Sequence, residues 1–403
     1  MVETSLYIHI PFCRRRCGYC DFNTFEGMNS YLPDYVKALG KEIDSLLGQA
    51  PQGLTVPTIY FGGGTPSLLK KDHFEQLFSR IKQHVVISSN AEISLEANPE
   101  TVTFQSISDL RNVGFNRISF GMQSAALQDL RILDRQHTNL SVENAVKWSR
   151  QAGFDHINLD LIFGIPGQTL ESWESTLKVA LELGVCHFSL YSLILEEGTR
   201  LKQWVDHGIV AQPDDDLAGE MYDVAISIME EAGFVQYEIS NWAKSPDHQC
   251  RHNLQYWHYL PYLGFGAGAV SFWQNIRAEN IHLIPDYISR INRTDYKPVF
   301  PVSRANFQFT QMNEWEMIQE HLMVSSRLIH EGVLLDEFEQ RHGIKVEEIF
   351  EKQIQKLKRQ GLIEIDPQEK RMKLTRRGRS FGNRVFSEFI GNPPPKNLQN
   401  LMT

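Results

Sequence analysis

At 403 residues, 42% hydrophobic and 22% charged, with 27 Gly and 17 Pro, the chain has the profile of a folded protein with more than one packing unit, which excludes wholesale disorder. No run approaches the roughly 18 uninterrupted apolar residues of a membrane-spanning helix, and a net charge of −9 argues against a general nucleic-acid coat. The charge is uneven: residues 340–403 carry 14 Lys and Arg against 7 Asp and Glu, a local +7 that leaves −16 on the remainder.

In chain order, the first two thirds alternate β-rich runs with segments of helical spacing. Strands are predicted at residues 6–10, 58–61, 92–97, 117–121, 156–162 and 187–193, each ending near Gly, Pro or polar residues. Helices are predicted at 31–47, 71–84, 103–112, 141–151 and 169–183, with Ser141 and Thr169 as N-caps. Repeated βα units mean a parallel sheet; a doubly wound open sheet and a partial or full (β/α) barrel fit the alternation equally. In either, sites form at the carboxyl ends of strands, where the unusual residues of this chain cluster, so one active-site face is expected.

A further helix at 214–232 starts on three aspartates suited to a positive helix N-terminus. An aromatic-rich stretch, 242–273, shows little period. Helices at 314–329 and 346–359, followed by strands at 361–365 and 372–375, outline a winged helix, and the Pro-rich end looks frayed. The chain is thus divided into 1–241, a connecting region 242–305, a C-terminal α-rich unit 306–385 and a flexible tail 386–403.

Five cysteines, three of them within eight residues, are too few and too uneven for a disulfide framework, and the first strand begins too early for a signal or transit peptide; a reducing cytoplasm is the expected setting. Cys13, Cys17 and Cys20 place three soft ligands on one loop after a strand. By spacing alone they suit an iron-sulfur cluster, a zinc site completed by a fourth ligand, or unrelated buried thiols. Arg14, Arg15 and Arg16 are expected to lower the thiol pKa values and offset cluster charge.

The run from Tyr7 to Phe22, Tyr-Ile-His-Ile-Pro-Phe-Cys-Arg-Arg-Arg-Cys-Gly-Tyr-Cys-Asp-Phe, resembles the signature of radical S-adenosylmethionine (SAM) enzymes, and closely that of the HemN/HemW branch. The resemblance implies a partial (β/α) barrel and a [4Fe-4S] cluster held by Cys13, Cys17 and Cys20, with the fourth iron open to SAM. Gly62-Gly63-Gly64-Thr65-Pro66 is similar to the branch's SAM-contacting GGGTP element, although a Gly triplet alone means only a turn. Cofactor contacts are implied at Tyr7, Tyr19, Gly63, Gly64, Thr65, Glu96, Gln123, Arg135 and Asp160, with Arg135 suited to the SAM carboxylate. Taken singly, each charged residue is as easily a structural ion pair or cap.

Two functions compete within the branch: oxidative decarboxylation of coproporphyrinogen III by a radical SAM dehydrogenase, and heme delivery by a chaperone. The oxidase type has a fourth cysteine where this chain has Phe22, and a long extension where this chain has 12 residues before Cys13. Arg251-His-Asn-Leu-Gln-Tyr-Trp257 resembles the HNxxYW motif of the chaperone group, which implies heme near His252, with Tyr256 and Trp257 offering flat apolar contact. Without the motif, a lone His beside aromatics is more often a satisfied core residue. Cys186 is expected to be packing and Cys250 a poor ligand candidate. A heme chaperone carrying the cluster and SAM is the favoured reading, with acceptor hemoproteins as partners, no nucleic acid, peripheral bilayer contact and a homodimer among the expectations; the basic wing reads as a solvated face or a patch for propionates.

Overall fold

The computed structural model describes residues 2–394, so the last part of the expected tail, 395–403, lies outside the described residues. Six strands, β1 (Ser5–Ile10), β2 (Thr55–Gly63), β3 (Val86–Ala97), β4 (Arg117–Gln123), β5 (His156–Phe163) and β6 (His187–Ser192), lie side by side in chain order and all run parallel. Helices Leu32–Leu47, Lys71–His84, Phe104–Val113, Asn139–Gln151 and Leu170–Glu182 connect them.

Every second residue of these strands enters one apolar core against the helices: Leu6, Ile8 and Ile10, then Ile59 and Phe61, Ile118 and Phe120, Leu159 and Leu161, Phe188 and Leu190 are all essentially without solvent contact. The alternate residues are polar or small and line a cavity instead: Tyr7, Tyr60, Ser94, Glu96, Ser119, Gly121, Asn158, Asp160, Ser189 and Tyr191. A sheet with helices on both faces buries near-continuous apolar strands. Here only the outer face is helix-covered and the inner face curls around a polar lumen, which makes this the barrel-type architecture.

Among the described residues the sheet has twelve strands and remains a partial barrel. Tyr262–Phe265 pairs in parallel with β1 and is followed outward by antiparallel Val270–Trp273, Ile276–Asn280 and Asn306–Gln311, while antiparallel Asn241–Ala243 and Val235–Glu238 flank β6. Residues 242–305, read in the sequence as an aromatic connection, therefore extend the sheet itself. Thr169 caps its helix as expected, accepting from the Ser172 amide at 3.1 Å. Ser141 does not cap: its helix starts earlier, Thr138 takes the cap position and Ser141 closes the box from the third helical residue.

A second core, including Trp315, Leu322, Phe338, Phe350, Leu357 and Phe389, gathers the C-terminal helices against a wing. The wing has three strands rather than the expected two, because Val333–Leu334 pairs with Arg371–Leu374 beside Ile363–Asp366. On the short helix Arg376–Ser380 that follows the wing, Arg376 donates to Ser227 Oγ and Arg379 to Gln236 Oε1, both at 3.1 Å, and Glu230 lies 3.8–3.9 Å from both guanidinium groups, while Arg376 and Arg377 stay exposed. The locally positive C-terminus thus docks on the acidic helix Asp215–Glu231, whose first turn Asp214 caps. Among the described residues, no helix is long and apolar enough to cross a membrane.

Candidate functional site

The three clustered thiols lie at the carboxyl end of the barrel. After β1 the chain forms a short Phe12–Cys13 strand paired with Phe25–Glu26, which closes the intervening loop into a clasp carrying Cys17 and Cys20. The loop is pinned at Gly18, whose amide donates to Leu133 O at 3.3 Å and whose carbonyl accepts from the Leu201 amide at 2.8 Å. All five cysteines are free, and Cys13, Cys17 and Cys20 line one cavity of about 520 Å³ with Gly63, Gly64 and Thr65.

Each of the three sulfurs is oriented by a separate polar group. Thr65 Oγ1 donates to Cys13 Sγ at 3.8 Å and is itself held by Asn98 Nδ2 at 3.1 Å. Arg135 Nη1 donates to Cys17 Sγ at 3.4 Å, and Cys20 Sγ lies 3.6 Å from Thr24 Oγ1. The neighbouring arginines do not govern the thiols as the sequence suggested. Arg15 is paired with Asp134, the Arg16 guanidinium donates to the carbonyls of Cys20 and Phe22, and burial dominates, pushing the Cys13 thiol up to about 11 and the Cys20 thiol upward. Metal ligation would have to overcome that burial by removing the proton.

The glycine run forms one wall because side chains are excluded there. A Cβ on Gly64 would stand 2.6 Å from Phe12 O and 3.0 Å from Cys13 Sγ, and one on Gly63, at φ +116°, would strike the His9 ring at 2.5 Å. The Gly63 amide donates to Glu96 Oε2 at 3.0 Å and Tyr60 Oη donates to Glu96 Oε1 at 2.9 Å. Burial, together with Asp160 across the lumen, pushes the Glu96 carboxyl up to about 7. Asp160 is raised by burial as well, although it accepts from Ser119 Oγ and Asn158 Nδ2, each at 2.7 Å. Gln123, at φ +65°, holds a left-handed conformation uncommon for its type at the end of β4, beside Arg135, whose Nη2 donates to Gly121 O at 2.8 Å. Tyr7, whose hydroxyl meets His9 Nδ1 at 2.9 Å, and Tyr19 complete the lining, and burial raises both phenols. The three cysteines and the nine expected SAM contacts therefore face one cavity, whereas Trp257, expected as a flat contact for heme, lies outside it with the Arg327 guanidinium over its ring.

Deeper in the lumen lies His252, on the helix Arg251–Trp257, only 1% exposed yet lining the same cavity. Buried Glu92, paired with Arg117 at 2.9 Å, accepts the backbone amides of Arg251 (3.2 Å) and His252 (3.0 Å) and so anchors the helix start inside the barrel. Thr58 Oγ1 donates to Ser5 Oγ at 2.7 Å, so His252 Nδ1, also 2.7 Å from Thr58 Oγ1, is the imidazole's N–H. Nε2 then carries the lone pair and accepts from Tyr256 Oη at 3.0 Å. Burial lowers the ring's pKa to about 4, which keeps it neutral.

A family model for the radical SAM superfamily matches residues 7–180, and one for the HemN C-terminal domain matches residues 313–381. The heme chaperone HemW of Bacillus subtilis is 34% identical over 388 residues, 96% of this chain and 99% of that protein. HemW of Lactococcus lactis is 33% identical over 96% of this chain and 97% of its own length. This chain belongs to the HemW family of the radical SAM superfamily. HemW of Escherichia coli is 39% identical over 267 residues, 66% of this chain and 69% of that protein. The coproporphyrinogen III oxidase HemN of Escherichia coli shares the fold, with a TM-score of 0.82 over 97% of this chain and 90% of that one at 23% identity.

Several residues that shape the lumen were not singled out in the sequence. Tyr60 stacks on His252, Thr58 sets its tautomer, and Glu92 with Arg117 fixes its helix. Asn158 links Ser119, Asp160, Ser189 and His187. Their shared signal was polarity at every second strand position.

Proposed function

We propose that this chain is a heme chaperone that carries a [4Fe-4S] cluster and SAM, binds heme and passes it to acceptor hemoproteins. Cys13, Cys17 and Cys20 would hold three irons, and the donor set fits: three separately oriented thiols beside a backbone wall that tolerates no Cβ at Gly64. Gly63, Gly64, Thr65, Glu96, Gln123, Arg135, Asp160, Tyr7 and Tyr19 would receive SAM, Arg135 meeting its carboxylate and the carboxyl groups its cationic portion. Bound together, the cluster and SAM supply one-electron chemistry at an open iron.

The observation that carries the heme reading is the placement of His252 in the thiol-lined cavity, its Nδ1 2.7 Å from Thr58 Oγ1 and its Nε2, the nitrogen that this contact leaves to carry the lone pair, 3.0 Å from the Tyr256 hydroxyl. A neutral imidazole with a free lone pair is what an axial iron ligand requires, once Tyr256 yields. Phe22 and Ile194, 64% and 62% exposed, rim the same cavity with Tyr191 and present apolar surface to a flat porphyrin. Phe22, where the oxidase type has a cysteine, thus serves the mouth. Five free thiols suit a reducing cytoplasm, with peripheral bilayer contact where the acceptor is membrane-bound and a homodimer as the assembly to look for.

Anaerobic reconstitution followed by heme titration, transfer to an apo-hemoprotein, and incubation with SAM, dithionite and coproporphyrinogen III tests this reading. Stoichiometric, transferable heme without porphyrinogen turnover is expected. Steady decarboxylation would replace it with the radical SAM dehydrogenase.

A further inference from the structure

At the opposite, amino-terminal end of the barrel, a second set of soft ligands converges from three elements. His156 opens β5, Cys186 immediately precedes β6, and His248 ends the short 3-10 turn Pro246–His248. One ligand atom from each lies within 4.8 Å of the other two, and all three side chains are half-buried, hence reachable from solvent. Ligand atoms bound to one tetrahedral zinc at about 2.0–2.3 Å stand roughly 3.3–3.8 Å apart, so closure needs only small side-chain shifts.

The details of the cluster favour a ligand over mere packing. Nδ1 of His156 is buried without any hydrogen-bond partner, a costly state for a ring nitrogen unless something else meets it. His248 Nδ1 lies 2.9 Å from Ser245 Oγ, a residue outside the cluster, which leaves Nε2 available as a ligand atom. Cys186 Sγ is held against the strand bearing His156, 3.4 Å from Asp155 O and 3.6 Å from Ile157 O. The Arg117 guanidinium nearby has its charge offset by Glu92 and secures the carbonyls of His248 and Gln249 at 2.7 and 2.9 Å.

We infer that His156, Cys186 and His248 form a binding site for a thiophilic divalent cation of the zinc type, with the Cys186 thiol giving its proton to solvent and a water completing the tetrahedron. The ion clamps the starts of β5 and β6 to the turn that leads into the His252 helix. This site is separate from the Cys13, Cys17 and Cys20 loop and does not depend on the heme reading.

Cluster-loaded, anaerobic full-length protein, in which the loop thiols are engaged, is titrated with Zn2+ and the bound metal quantified after dialysis. One zinc per chain is expected, and Cys186→Ala and His248→Ala should each weaken binding at least tenfold while iron and sulfide stay at wild-type levels. Zinc-edge absorption of the wild-type protein should show one sulfur and two imidazole nitrogens. Zinc lost on dialysis of the wild type, unchanged affinity in both variants, or a shell made only of oxygen or of several sulfurs would overturn the assignment.

Discussion

The Tyr60 ring lies over the His252 imidazole, centroids 5.0 Å apart and planes 23° from parallel, while its hydroxyl donates to Glu96 at 2.9 Å. One side chain therefore joins the deep histidine to the carboxyl group that receives the Gly63 amide beside the thiol loop. A stacked ring and two hydrogen bonds thus link the deep histidine to the glycine wall beside the thiol loop.

His252→Ala should weaken heme binding or change the heme absorption spectrum while leaving iron and sulfide unchanged. Thr58→Val is the finer probe. It keeps the imidazole but leaves the buried Nδ1–H without an acceptor, a cost of about 1–3 kcal/mol, which the ring relieves by moving its proton to Nε2. Heme affinity should then fall several-fold with the cluster intact. A heme titration and spectrum identical to wild type in both variants would remove His252 as the ligand.

Cys17→Ser should abolish the cluster, because Arg135 orients this sulfur and a hydroxyl is a poor iron ligand. Cys250→Ser should not: Cys250 lines the cavity but is buried against Glu92, to whose Oε1 its thiol donates at 3.6 Å, and burial pushes its thiol pKa up. Iron and sulfide analysis after anaerobic reconstitution distinguishes the two, and wild-type content in Cys17→Ser would refute the three-thiol assignment.

Gly64→Ala places a methyl 2.6 Å from Phe12 O and 3.0 Å from Cys13 Sγ, so backbone must shift or the sulfur must turn. A loss of about 1–3 kcal/mol is expected, along with lower cluster loading. Gly219→Ala is the matched control, since its Cβ meets nothing within 4 Å in the interior of the helix Asp215–Glu231; there a gain of up to about 1 kcal/mol is expected from helix propensity. Thermal midpoints moving in opposite directions would support the cradle, and equal midpoints would not.

How much of this was legible can be judged from particular residues. The six parallel strands and the thiol loop were readable because Gly, Pro and soft ligands punctuate them locally. Element alternation alone fits open sheet and barrel equally, and the partial barrel came from the resemblance; yet the alternation of Tyr60, Ser94, Glu96, Ser119, Gly121, Asn158 and Asp160 with apolar neighbours also carries it, because polar residues at period two on a helix-covered sheet need a lumen. The Tyr262–Phe265 strand was not readable. It pairs with β1 across more than 250 residues of chain, and nothing in its four residues announces that partner. Nor was the dominance of burial over three adjacent arginines, since only the fold shows that Arg15 and Arg16 are engaged by Asp134 and by main-chain carbonyls.

Glu238 gives a prediction about pH. It is 1% exposed at the end of the strand Val235–Glu238, and burial pushes its carboxyl up to about 7 despite donation from Asn241 and from the Ser240 amide at 3.2 Å. The unfolded chain loses this proton near 4.5 and the folded chain near 7, so between those values the folded state binds more protons. Stability from this group is fully present below pH 4.5 and lost as pH rises through about 7; the loss is on the order of 3 kcal/mol at most. Glu238→Gln cannot ionise. It also keeps only one of the two accepting oxygens that meet Asn241 and the Ser240 amide, which lowers stability at every pH alike, so the slope and not the absolute value decides. Urea midpoints measured from pH 5 to pH 8 should fall less steeply in the variant than in the wild type, and parallel curves would show that Glu238 is already ionised throughout.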